Sequence, residues 1–184
     1  MSFLLEYIKN PRLIGAIAPS GKELTKKMMV PVNFQKADVI VEFGPGTGSF
    51  TRDLVIRRKP STVLILIEQN KSFCRELREL LCNQPNLHII HGNAENVCEY
   101  LAKFGYDHAD YIVSGLPFTS LPTEVSNRIL SVTQKALGGT GRFITFQYTM
   151  LKRKFFERYF DISHVLKAVK NLPPANILVM KNKV

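Results

Sequence analysis

The chain has 184 residues, long enough for one sizeable core, and its 45% hydrophobic and 22% charged residues are the balance of an ordinary globular domain. Cys74, Cys82 and Cys98 form an odd set without a C-x-x-C pair, so neither a disulfide framework nor a zinc site is expected, and a reducing cytoplasm is the simplest compartment. No apolar run approaches the roughly 20 residues of a membrane-spanning helix and no cleavable leader is visible, while the net charge of +10 directs attention to an anionic partner.

In chain order, helical periodicity marks residues 3–9 and 20–29, and Pro11, Pro19 and Pro31 break this stretch into short pieces ahead of any sheet. Phe3, Leu4, Leu5, Tyr7, Ile8, Leu13, Ile14, Ile17, Leu24, Met28 and Met29 interleave with lysines and one arginine. That is the composition of an interfacial helix lying in a headgroup layer; a helix packed against the sheet is the other reading of the same pattern.

Val39 to Phe43 is a short run rich in β-branched residues, as a parallel strand buried on both faces requires. It breaks into Gly44-Pro45-Gly46-Thr47-Gly48, where missing β-carbons let the backbone turn tightly and a ligand approach the peptide groups. Helical periodicity resumes over 49–57, with Ser49 or Thr51 as the expected cap and free N–H groups facing the ligand. A second buried-strand pattern, 63–67, runs into Glu68, 26 residues after Glu42. A carboxylate there can accept both ribose hydroxyls of an adenosine lying across the glycine turn. The G-x-G-x-G spacing differs from the G-x-G-x-x-G that seats a pyrophosphate on a helix terminus.

Further helices are expected at 71–82, 95–104, 122–137 and 151–159, and strands at 87–91, 110–114, 142–148, 162–169 and 176–180. The alternation implies parallel βαβ units, and the last two strands, joined through Asn171-Leu-Pro-Pro-Ala175, imply an edge hairpin. The four histidines do not cluster with acids, and His88 and His91 read as structural or surface residues; no metal is expected. Residues 1–36 carry a net +4 and residues 151–184 a net +6, whereas 37–150 sum to zero. Basic flanks on a neutral centre suit a nucleic-acid backbone or an anionic membrane.

Glu42-Phe-Gly-Pro-Gly-Thr-Gly48 resembles motif I of the class I S-adenosylmethionine-dependent methyltransferases, and the later signals over 37–150 follow in that family's order. The resemblance implies an α/β, Rossmann-like fold: a seven-stranded, mostly parallel sheet with helices on both faces and an antiparallel edge hairpin. It implies one compact unit in which residues 1–36 form a basic amphipathic cap and 37–184 the cofactor-binding domain. S-adenosylmethionine would lie against Glu42, Gly44, Pro45, Gly46, Thr47, Gly48, Glu68, Gln69, Asn93 and Ala94, with Asn93 standing where an aspartate is usual and its amide oxygen accepting from the adenine amino group.

Together with Gly15-Ala-Ile-Ala-Pro-Ser20 and Ser114-Gly-Leu-Pro117, these motifs are similar to those of the small bacterial phospholipid N-methyltransferases. The neighbouring ribosomal RNA adenine N6-dimethylases share motif I and the strand-two acid. They usually carry Asn or Asp where this chain has Gly115, so that a side-chain carbonyl accepts from the target amine; they also append a helical domain after the sheet, whereas this sequence ends at Val184.

The resemblance therefore implies methylation of the amine of a phosphatidylethanolamine-like lipid, by a cytoplasmic protein held peripherally at the inner face of an anionic membrane. An rRNA adenine methyltransferase and a non-catalytic basic adaptor with the same fold are the alternatives. Methyl donor and acceptor would meet at Ser114, Gly115, Leu116, Pro117 and Phe118, with Phe118, Tyr148 and Tyr7 as aromatic walls for a methylated cation and Ser20 near the cofactor's methionine end. The sequence leaves the oligomeric state open.

Overall fold

The computed structural model describes residues 20–183. Tyr7 and the segment from Gly15 to Pro19 lie outside the described residues; Ser20 is the first residue of a helix, and its side chain is likewise outside the description.

Seven strands form one sheet: β1 (Val39–Phe43), β2 (Val63–Glu68), β3 (Leu87–His91), β4 (Ala109–Ser114), β5 (Leu137–Gln147), β6 (Phe160–Ala168) and β7 (Ala175–Asn182). Their order is β3-β2-β1-β4-β5-β7-β6. The first five are parallel, and β7 inserts antiparallel between β5 and β6. The expected edge hairpin is thus present, and β1, flanked by β2 and β4, sits where the strand order reverses, the usual crevice for a ligand in an open α/β sheet.

Every residue of β1 and β2 is buried, which is why both read as continuous apolar runs rather than alternating ones. Side chains still alternate between two cores. Val39, Val41 and Phe43 join the core covered by α4 (Val97–Lys103), α5 (Thr123–Ala136) and the short α6 (Arg153–Phe156), through Val97, Leu101, Ile129, Leu130 and Phe156. Ile40, Leu64 and Leu66 face α1 (Ser20–Met29), α2 (Ser49–Arg57) and α3 (Lys71–Leu80), through Met28, Leu54 and Leu77.

The structure corrects the sequence reading at several points of the fold. Leu24, Met28 and Met29 are buried in the second core, so over 20–29 the packed-helix reading holds and the interfacial one does not. Neither Ser49 nor Thr51 caps α2; Gly48, in the left-handed region, occupies the cap position without a side-chain bond. The helix expected over 151–159 is only the turn Arg153–Phe156, because Phe156 and Phe160 both drop into the first core and the chain enters β6 at once.

Candidate active site

The glycine turn leaves β1 at the C-terminal edge of the parallel strands, and Gly44, Gly46 and Gly48 all have positive φ. At Gly46, φ is +55° and a β-carbon would meet nothing within 4 Å, so the peptide faces open space. The backbone N–H of Gly46 donates to Glu68 Oε2 at 3.0 Å, while Glu68 Oε1 accepts from the Asn70 N–H at 2.8 Å. The acid at the end of β2 is thereby fixed on the lip of the turn with one N–H on each oxygen. Lone pairs remain on both oxygens, the arrangement a ribose diol requires.

Beneath the turn, Glu42 is fully buried. Thr51 of α2 donates its hydroxyl to Glu42 Oε2 at 2.7 Å, and Oε1 has no partner among the described residues. Burial pushes the Glu42 carboxyl up to about 8; the Thr51 bond opposes that rise and the nearby Glu68 adds to it. An orphaned carboxylate oxygen under an open glycine turn fits a cofactor with a cationic end, because such a group would both pair with the oxygen and favour its charge. Thr51 was read from the sequence only as a possible cap, since a hydroxyl in a first helical turn carries no sign of the strand side chain it will meet.

Pro45 is buried and Thr47 exposed in the same turn. Gln69, exposed, follows Glu68, and its carbonyl lies 3.0 Å from His91 Nε2. Asn93 is exposed just past β3 and Ala94 is buried at the start of a 3-10 turn. The strand ends therefore bring Glu42, the 44–48 turn, Glu68, Gln69, Asn93 and Ala94 to one sheet edge.

The acceptor side starts from β4. Ser114 is fully buried; its carbonyl accepts from Thr145 Oγ1 at 3.3 Å and its hydroxyl from the Leu116 N–H at 3.2 Å. Gly115 donates its N–H to the Phe43 carbonyl at 2.8 Å, and a β-carbon on Gly115 would lie 2.8 Å from the Gly44 carbonyl oxygen. Leu116 and Pro117 are half-buried in the loop that follows.

Phe118 is not an open aromatic wall. It is fully buried, with the Phe143 ring edge-on at 6.2 Å and the Phe156 ring at 5.3 Å, so its place is the first core. Tyr148 remains exposed beyond β5, in edge contact with Phe146.

Two residues absent from the sequence reading adjoin this loop. Lys152 Nζ donates to the Phe118 carbonyl at 2.6 Å and so ties the segment after β5 to the segment after β4. Gln147, buried, lies on the same face of β5 as Phe143 and Thr145. Its amide nitrogen donates to the Phe146 carbonyl at 2.6 Å, which fixes the amide orientation and leaves Oε1 without a partner among the described residues. A glutamine inside an apolar strand run was the one available signal. No group of three or more potential metal ligands occurs among the described residues.

Comparison with known proteins gives the site a context. The model of the family described as ribosomal RNA adenine dimethylase matches residues 6–167. The chain is 32% identical to an ornithine lipid N-methyltransferase from Singulisphaera acidiphila, over 94% of this chain and 91% of that protein. It is 29% identical to ribosomal RNA small subunit methyltransferase A of Ureaplasma urealyticum, over 82% of this chain; it spans 54% of that longer relative. The fold is that of a 1,6-didemethyltoxoflavin-N1-methyltransferase from Burkholderia thailandensis, with a TM-score of 0.76, 10% identity and coverage of 99% of this chain and 86% of that one.

Proposed function

Because the chain belongs to the ribosomal RNA adenine dimethylase family and is an S-adenosylmethionine-dependent methyltransferase, we propose that its acceptor is the amine of a membrane-lipid headgroup, of the phosphatidylethanolamine or amino-acid lipid class. The observation that carries this reading is the lack of room for a β-carbon at Gly115, which would stand 2.8 Å from the Gly44 carbonyl oxygen. An asparagine or aspartate at 115, which a base-methylating site would use to receive the target amino group, would have its β-carbon driven into that oxygen. A relative matched nearly end to end is an ornithine lipid N-methyltransferase, which supports the same choice.

When bound, S-adenosylmethionine supplies an electrophilic methyl carbon on a sulfonium. The residues that would hold it are Glu68 and Asn93 at the adenosine end, the 44–48 turn along its length and Glu42 toward its cationic end. The acceptor nitrogen must be neutral and held in line, and orientation of this kind can supply a large part of the acceleration. Gln147 Oε1 is suited to accept an N–H of the amine and so aim its lone pair. An amide carbonyl is too weak a base to keep the proton, so Gln147 is a positioning group and the proton passes to water. Tyr148 offers a face to the more methylated cation. Residues 1–36 are read as a cap over this edge, with 20–29 serving as a packed element of the fold.

An adenine in RNA is the second reading, favoured by the family match and by the basic flanks. Incubating the protein with labelled-methyl S-adenosylmethionine, extracted lipid and ribosomal RNA separates the two. Label in the lipid fraction is expected; label in RNA alone would overturn the lipid assignment.

A further inference from the structure

Resting on the lipid reading, we infer that the protein docks on an anionic bilayer through a surface formed by the segment after β5 and the tip of the β6–β7 hairpin. Leu151 is 89% exposed, Leu172 76%, Val169 64% and Tyr148 47%, and these are most of the large apolar side chains left in solvent by the described residues. The remaining three, Val30, Ile56 and Leu80, lie at the C-terminal ends of α1, α2 and α3; of the basic residues that follow Ile56, Arg58 is buried against backbone carbonyls, Arg57 lies over the Phe34 ring and Lys59 pairs with Asp38.

The sheet brings the two segments together. Gln147 pairs with Asn176 on β7, and Ala168 pairs with Ala175, so Tyr148 and Val169 leave the same end of the sheet from the two strands that flank β7, about two strand spacings or roughly 10 Å apart. The N-terminal turn of α1 joins them, since Glu23 Oε2 accepts the backbone N–H of Lys170 at 2.6 Å. This is the sheet edge that carries Ser114 and Gln147, so a headgroup presented at the surface lies beside the acceptor site.

Charge selects the partner. Residues 148–156 and 167–174 contain Lys152, Arg153, Lys154, Lys167 and Lys170 and no acid. Lys152 is committed to the Phe118 carbonyl and Arg153 pairs with Glu157, whereas Lys154, Lys167 and Lys170 are exposed around the leucines. Exposed leucines rimmed by lysines are the pattern of an element that inserts apolar side chains between lipid headgroups while its cations meet anionic phosphates. Leucine and valine offer no stacking face for bases, and Tyr148 is the single exposed ring of the patch, so a single-stranded nucleic acid is a poor match.

The test compares the full wild-type chain with the Leu151→Glu/Leu172→Glu and Lys154→Gln/Lys170→Gln variants. Sedimentation is read with phosphatidylglycerol vesicles and with neutral phosphatidylcholine vesicles, and cofactor affinity is read by calorimetry. Wild type is expected to sediment with the anionic vesicles, the leucine variant to lose at least tenfold in vesicle affinity and the lysine variant several-fold, all with unchanged cofactor affinity. Vesicle binding unaltered in the leucine variant, or absent in wild type, would overturn the docking surface. Methyl transfer to a short-chain, monomeric lipid amine checks the reading beneath it: transfer retained by both variants leaves the lipid assignment standing whatever the vesicles show, and transfer by wild type to RNA alone sinks that assignment independently.

Discussion

Gly115 and Gly44 approach so closely that a β-carbon on the first would stand 2.8 Å from the carbonyl oxygen of the second. The two residues directly follow the paired positions Phe43 and Ser114, and the Gly115 N–H donates to the Phe43 carbonyl, so the approach is built on the β1–β4 ladder and is not easily relaxed. The glycine at 115 is therefore a packing requirement as well as the absence of an amide.

Replacing Gly115 by Asn, which recreates the base-methylating pattern, should fail to confer RNA methylation. Overpacking against backbone should cost about 1–3 kcal/mol, read as a lowered Tm, and lipid methylation should fall with it. A stable Gly115→Asn protein with new activity on RNA would show that the close approach is not restrictive.

Glu68→Ala should weaken S-adenosylmethionine binding by about 1–3 kcal/mol, since it removes a charged acceptor for the ribose. It also leaves the Gly46 and Asn70 N–H groups without their acceptor, which loosens the turn. Calorimetric affinity unchanged in this variant would remove Glu68 from the ribose contact.

Glu42 makes the cofactor-free protein pH-sensitive. Its carboxyl holds a proton up to about pH 8 in the fold, against an ordinary value of 4.5. Its contribution to stability is therefore complete below pH 4.5 and is lost as pH rises through 8. Glu42→Gln should match wild type in Tm near pH 5 and exceed it near pH 8. A cationic group seated against Oε1 favours the carboxylate, so cofactor binding to wild type near pH 7 should release a proton. Calorimetry in buffers of different ionisation enthalpy measures that release, which the Gln variant should lack.

Gln147→Leu should separate positioning from packing. The substitution removes an unpartnered Oε1 together with the one local bond from Nε2 to the Phe146 carbonyl, so stability should change little. If the amide aims the acceptor amine, kcat should fall about 10- to 100-fold, the worth of about 1.4–2.7 kcal/mol, with cofactor affinity unchanged. Undiminished kcat would leave Gln147 a structural residue.

The elements that carry the proposed cofactor contacts are largely readable in the sequence because their signals are local. A β-branched run, a glycine turn and an acid at a strand end each follow from neighbouring residues, and β1, β3, α1 and α2 have the bounds their periodicity predicts. The acceptor half was less so. Phe118 reads as an aromatic beside the site, but its burial depends on Phe143 and Phe156, which come from distant parts of the chain. Apolar residues with basic neighbours in α1 fit a membrane face and a packed helix equally well, and only the sheet beneath Met28 and Met29 decides. Gln147 stands out in its apolar run, but its open amide oxygen is not legible for a related reason: whether a polar residue in a strand is satisfied depends on partners the sequence does not announce.

The position of β7 sets an order of assembly. Glu42, the glycine turn and Glu68 are joined by pairings among β1, β2 and β4, all of which lie before residue 115. Gln147 stands on a strand whose outer neighbour, β7, is the last to leave the ribosome among the described strands and must slot between β5 and β6. An early stop or frameshift before Ala175 would accordingly spare the residues proposed to hold the methyl donor while leaving β5 an unpaired edge. Such a truncated product would be prone to bind the donor unproductively or to aggregate through that edge.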